Sequence, residues 1–141
     1  MLTQSFDAGE GSHRPSKCGK LVVVDDEPVV LEAIELALTC AGHVVNVAAS
    51  GRAAVELIRS GDVDLVLTDF EMGDMNGLQT MLEIKAAKPQ LPVIIVTAFA
   101  SAETEVELKR CGAVGIVKKP FLLDELYEAV ERVLAHARVA R

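Results

Sequence analysis

The sequence predicts an α/β domain: a five-stranded parallel sheet, doubly wound, with helices on both faces. Three observations carry that expectation. Short β-branched runs at Leu21–Val24, Val44–Ala48, Leu65–Thr68, Val93–Thr97 and Gly115–Val117 recur about every twenty to thirty residues. Between them apolar residues fall at helical spacing, as in Leu31, Ile34 and Leu38, or Leu123, Leu126, Val130 and Val133. The strands are also continuously apolar rather than alternating, as a sheet covered on both faces requires. Strands alternating with helices imply right-handed crossovers and parallel pairing. Of the two common doubly wound arrangements, the strand order 2-1-3-4-5 suits this length.

Along the chain, residues 1–19 are rich in Gly, Ser and charge and lack periodicity, so they are expected to form a disordered tail or linker. The folded domain is expected over residues 20–138, with 139–141 as a short C-terminal tail. Pro28 suits a first helical turn, where its missing N–H costs nothing. Ser50 and Ser101 are expected N-caps. Gly42 and Gly112 follow two helical patterns as expected C-caps.

Composition narrows the function classes. A chain of 141 residues that is half hydrophobic and one quarter charged is a globular domain, not a disordered one. A formal charge of −7 argues against nucleic acid as its main partner. No apolar run approaches the ~20 residues that span a bilayer, and no secretory signal is evident, so a cytoplasmic location away from the membrane is expected. Cys18, Cys40 and Cys111 are odd in number and lack metal-ligand spacing, which fits reduced thiols.

In such a sheet, ligands bind beyond the carboxyl ends of the strands, where the order reverses between strands 1 and 3. Strand 1 ends on Asp25-Asp26-Glu27 and strand 3 on Asp69. Adjacent strands lie about 4.8 Å apart, which brings Asp25, Asp26 and Asp69 into one cleft. Two unit charges ~5 Å apart repel by about 3 kcal/mol at an effective dielectric of 20. Either a pKa rises or a cation joins them. An all-oxygen cluster of this kind suits Mg²⁺. Taken singly, each acid reads as a solvated strand end, and Asp26 before Pro28 reads as a helix cap. Strand 4 ends on Thr97, followed by the small Ala98, and strand 5 on Lys118-Lys119-Pro120. A hydroxyl and an ammonium facing the carboxylates form a cradle for a tetrahedral oxyanion.

These motifs, VVVDDEP, LVLTDFEMGDMNGL, PVIIVTAFA and GAVGIVKKPF in that order, resemble the receiver domain of two-component response regulators, a flavodoxin-like family that includes the chemotaxis regulator. The resemblance spans about residues 20–137. It implies that Asp69 is the phosphoacceptor, attacking the phosphohistidine of a sensor histidine kinase or histidine phosphotransferase to form an aspartyl phosphate. It implies that Asp26 holds Mg²⁺ directly and Asp25 through water, with Asp69 and the backbone carbonyl of Glu71 completing the protein ligands. Thr97 then contacts a phosphoryl oxygen, and Lys119 pairs with the phosphoryl charge, while Lys118 is exposed. A cis bond before Pro120 is implied as well. Such a domain catalyses its own phosphorylation and slow dephosphorylation, is not an enzyme in the usual sense, and switches its helix 4–strand 5–helix 5 surface for a downstream output.

Three positions depart from the family pattern. Gly73 replaces the usual proline, Ile116 replaces the usual Tyr or Phe, and Phe99 borders the phosphoryl position, where it is expected to shield it from water. Asp74 reads as turn chemistry before Asn76-Gly77. Two other functions compete with the switch. One is a phosphorylation-independent interaction domain. The other is an aspartyl-phosphate hydrolase, for which Asp69-Phe70-Glu71 has the acid spacing but strand 3 is the wrong strand. A standalone regulator and a receiver from a longer regulator or hybrid kinase both fit the sequence.

Overall fold

The structure, a computed structural model, describes residues 18–73, 75–98 and 101–140, with side chains to His136. The expectations for Asp74, Phe99 and residues 1–17 lie outside the described residues. The elements run β1 (Lys20–Val24), α1 (Pro28–Cys40), β2 (Val44–Ala48), α2 (Gly51–Ser60), β3 (Leu65–Asp69), α3 (Gly77–Ala87), β4 (Val93–Thr97), α4 (Ala102–Arg110), β5 (Ala113–Lys118) and α5 (Leu123–Ala140). All pairings are parallel and the sheet order is β2-β1-β3-β4-β5, as the sequence predicts.

Successive strand residues point to opposite faces, which sorts the core into two layers. Leu21, Val23, Leu65, Leu67, Ile94 and Val96 pack with Ile34 and Leu38 of α1 and with Leu126, Val130 and Leu134 of α5. Val22, Val24, Val66, Val93 and Ile95 face Val55 and Ile58 of α2, Met81 and Ile84 of α3, and Leu108 of α4. Apart from Lys20 at the start of β1, the inner strands β1, β3 and β4 are buried on both faces. β2 and β5 are edge strands with exposed Val44 and Val114.

Local chemistry sets the helix ends. Ser50 accepts the Ala53 N–H (3.1 Å) and Ser101 the Thr104 N–H (3.1 Å), the two expected N-caps. Pro28 opens α1 behind Glu27, whose side chain makes no capping bond, and Asp26 does not cap the helix. The C-caps of α1 and α4 are Ala41 and Cys111. Gly42 and Gly112 stand one position further on, at φ 102° and 121°, where the chain enters the left-handed region. α3 begins with a capping box that the sequence pattern did not bring out: Asn76 accepts the Gln79 N–H (2.9 Å) and Gln79 accepts the Asn76 N–H (3.1 Å).

Of the expected N-terminal tail, Gly19 is tied into the fold. Its N–H donates to His43 Nδ1 (3.0 Å) and its carbonyl accepts from Val44 (3.0 Å). β5 extends two residues before and one after the predicted run, and α5 continues to Ala140. Among the described residues no helix is long and apolar enough to cross a membrane. The three cysteines form no disulfide.

Candidate phosphoacceptor and metal site

The register builds the site. Val24 pairs with Thr68, so Asp25 and Asp69 leave adjacent strand ends side by side. Asp69 closes β3 opposite Val96, and the Phe70 N–H donates to the Val96 carbonyl (2.9 Å), which fixes the tip against β4. One carboxylate oxygen each from Asp25, Asp26 and Asp69 lie within 4.8 Å of one another. Asp25 and Asp69 are only 1% and 3% exposed, while Asp26 opens to solvent.

Lys119 is the cation of the buried pair. Its Nζ donates to Asp69 Oδ1 (3.1 Å) and Asp25 Oδ2 (3.3 Å), and its backbone N–H is held by the Thr97 carbonyl (2.8 Å). The peptide bond between Lys119 and Pro120 is cis. Asp25 is further oriented by the Glu27 N–H on Oδ1 (2.9 Å). Burial pushes the Asp69 carboxyl up to about 6; the Lys119 hydrogen bond opposes that rise, and the nearby Asp25 and Glu71 charges add to it. Burial alone lowers the Lys119 ammonium, but its bonds to Asp69 and Asp25 outweigh this and hold its pKa above the ordinary lysine value. Lys118 points away, exposed, and pairs with Glu105 of α4 at 2.7 Å.

One ammonium against three clustered carboxylates leaves excess negative charge around an all-oxygen donor set. That set could hold a hard divalent cation that keeps several waters, which is the chemistry of Mg²⁺.

Three contacts here were not legible in the sequence. Thr97 Oγ1 donates to Glu71 Oε2 (2.5 Å) and the Ala98 N–H approaches Glu71 Oε1 (3.4 Å), so the Glu71 side chain is engaged in the site. The Gly73 N–H donates to Asp26 Oδ2 (3.2 Å), a bond proline could not make. Gly77 also has a geometric role. A Cβ there would stand 2.7 Å from the Asp69 carbonyl oxygen and from Phe70 Cα, so α3 approaches the acid-bearing strand end as closely as only glycine permits.

Fold and cluster define a class, and comparison with known proteins agrees: residues 21–131 match the response regulator receiver domain family, and the chain belongs to it. It is a receiver domain of the two-component response regulators. Among curated relatives it is similar to the transcriptional regulatory protein ZraR of Salmonella typhimurium, with 41% identity over 118 residues, covering 84% of this chain and 27% of that protein. It is similar also to the regulatory protein AtoC of Escherichia coli, with 39% identity over 82% of this chain and 25% of that protein. The chain thus spans about a quarter of the length of these relatives. Among solved structures, a CheY-like receiver domain protein from Methanospirillum hungatei superposes with a TM-score of 0.83 at 25% identity, covering 88% of this chain and 99% of that one. NtrX from Brucella abortus superposes with a TM-score of 0.82 at 30% identity, over 88% of this chain and 29% of that one.

Proposed function

We propose that this domain accepts a phosphoryl group onto Asp69 from the phosphohistidine of a sensor histidine kinase or a histidine phosphotransferase. The observation that carries the reading is the buried Asp69 carboxylate, set between two further acids and 3.1 Å from the Lys119 ammonium at the strand ends of the sheet. An Asp69 oxygen forms the new bond to phosphorus while the phosphorus–nitrogen bond breaks and the imidazole leaves with its electron pair. Lys119 follows the charge as it moves onto the phosphoryl oxygens. Asp25, Asp26, Asp69 and the Glu71 carbonyl would hold Mg²⁺, which when bound supplies the positive charge that neutralises the transferring group.

The switch proceeds through Thr97, whose hydroxyl turns to a phosphoryl oxygen and biases the β4–α4 connection. Two features support an α4–β5–α5 output surface. α4 buries only Leu108, and it is tied to β5 by the exposed Lys118–Glu105 pair. Ile116, half-buried against the α4-side layer, would transmit the change as an aliphatic contact. A downstream output segment or protein reads that surface, and the domain itself contacts neither nucleic acid nor membrane.

Incubation with acetyl phosphate and Mg²⁺ tests the proposal. One phosphoryl group per chain, absent in Asp69→Asn, is the expected result. Many turnovers of a small phosphomonoester per chain point instead to a hydrolase. No labelling from acetyl phosphate or from any phosphorylated histidine donor points to a phosphorylation-independent interaction domain.

A further inference from the structure

Thr97 and Ala98 are the donors at the end of β4, and both already face an anion. The Thr97 hydroxyl, fully buried, donates to one Glu71 oxygen at 2.5 Å, and the Ala98 N–H approaches the other at 3.4 Å. A carboxylate presents two terminal acceptor oxygens on one centre, which matches two of the three oxygens of a phosphoryl group. Glu71 lies two residues beyond Asp69 on the same strand exit, so its side chain reaches this spot without leaving the cleft. We infer that the Glu71 carboxylate is an internal occupant of the phosphoryl seat, so that loading of Asp69 is an exchange in which phosphoryl oxygens displace Glu71 from Thr97 and Ala98.

The physical reason for competition is the single hydroxyl proton. Thr97 can direct it to Glu71 or to a phosphoryl oxygen, not to both. Charge adds to it, since the Glu71 carboxylate opposes any incoming anion across a short, partly desolvated gap. Glu71 therefore sets how readily the site fills. It holds the Thr97 hydroxyl until a group with a stronger claim on the same donors arrives. The neighbouring Gly73 N–H, bound to Asp26, ties the same loop to the opposite wall of the cleft. Residues 71 and 73 are thus bonded to the β4 side and the β1 side of the cleft respectively.

This inference rests on the phosphoacceptor reading, and the test separates the two. Beryllofluoride, a stable phosphoryl mimic, is titrated with Mg²⁺ into the wild type, Glu71→Gln and Glu71→Ala, and the Ala98 amide resonance is followed before and after. Gln removes the charge but keeps an acceptor for Thr97; Ala removes both. Losing a charge-assisted hydrogen bond at a partly exposed site predicts binding about five- to tenfold tighter for Ala than for wild type, with Gln between them. The Ala98 resonance of mimic-free Glu71→Ala should move away from its wild-type position. Equal affinity in all three chains, equality of Gln with Ala, or an unmoved Ala98 resonance overturns the inference and leaves the phosphoacceptor reading standing. If beryllofluoride binds none of the three, wild type included, the phosphoacceptor reading falls and this inference with it.

Discussion

Replacing Asp69 by Asn should stabilise the metal-free fold at neutral pH, although it removes the proposed phosphoacceptor. Asp69 is held from its ordinary value of 3.8 up to about 6, chiefly by burial, and that rise is net of the attraction to Lys119. Each unit is worth 1.36 kcal/mol, so keeping Asp69 ionised costs the folded state up to about 3 kcal/mol. The sign follows from proton binding: between those two pH values the folded chain holds a proton that the unfolded chain has lost. The contribution is therefore present in full below about pH 4 and is lost as pH rises through about 6. Asparagine stands in for the neutral acid at every pH. Urea unfolding with chelator present should show Asp69→Asn more stable than wild type by up to about 3 kcal/mol at pH 7.5, with the two curves converging near pH 4. Adding Mg²⁺ should narrow the gap by stabilising the wild type more. A variant no more stable than wild type at pH 7.5, or an advantage that does not change with pH, refutes this account of the cleft.

Other residues give independent checks. Gly77→Ala forces a Cβ to within 2.7 Å of the Asp69 and Phe70 backbone, so it should cost about 1–3 kcal/mol in denaturant and displace the Asp69 resonance in the same sample. Gly73→Ala keeps the N–H that holds Asp26 and should leave Mg²⁺ affinity near wild type. Gly73→Pro removes that N–H and should weaken Mg²⁺ binding by roughly two- to tenfold in calorimetry, in line with one hydrogen bond; equal affinities for Ala and Pro would show that the contact is idle. His43 is buried with its Nδ1 accepting the Gly19 N–H, and burial holds its pKa below 6.5 against the raising effect of Glu131. Its contribution is present above the unfolded value and declines as pH falls below about 6.5. His43→Leu should thus cost about 1–2 kcal/mol at pH 7.5, by orphaning the Gly19 N–H, and lose less stability than wild type on acidification to about pH 5.5.

Much of the fold was legible because burial on both faces leaves its mark as uninterrupted strands, and the caps at Ser50 and Ser101 are local chemistry. The acids were legible for a related reason. A carboxylate at the tip of an apolar strand, repeated on two strands that the topology makes neighbours, concentrates like charge in one cleft, which a merely solvated surface would spread apart. The strand order leaned on a family resemblance, since spacing alone does not set it. What stayed hidden depends on backbone donors and rotamers. Gly73 visibly breaks the family pattern, but its N–H bond to Asp26 exists only once β1 and β3 are side by side. The sequence points to Glu71 through its carbonyl alone, because nothing in the linear order says which way its side chain turns. Gly77 reads as half of an Asn-Gly turn signal; its packing against the Asp69 backbone emerges only in three dimensions. Exposure of β2 follows from its place at the sheet edge, not from its residues, VVNVA, which are as β-prone as those of the core.

The central claim is that one carboxylate, Asp69, takes the phosphoryl group. Borohydride reduction of the chain after exposure to acetyl phosphate and Mg²⁺ converts an acyl phosphate to an alcohol, and so marks the acceptor as homoserine. Peptide mapping should find homoserine at position 69, dependent on Mg²⁺ and abolished by Lys119→Ala or strongly reduced by it. Homoserine at position 25 or 26, or 5-hydroxynorvaline at position 71, in its place, or no reduced residue in a chain that still binds Mg²⁺, contradicts the account.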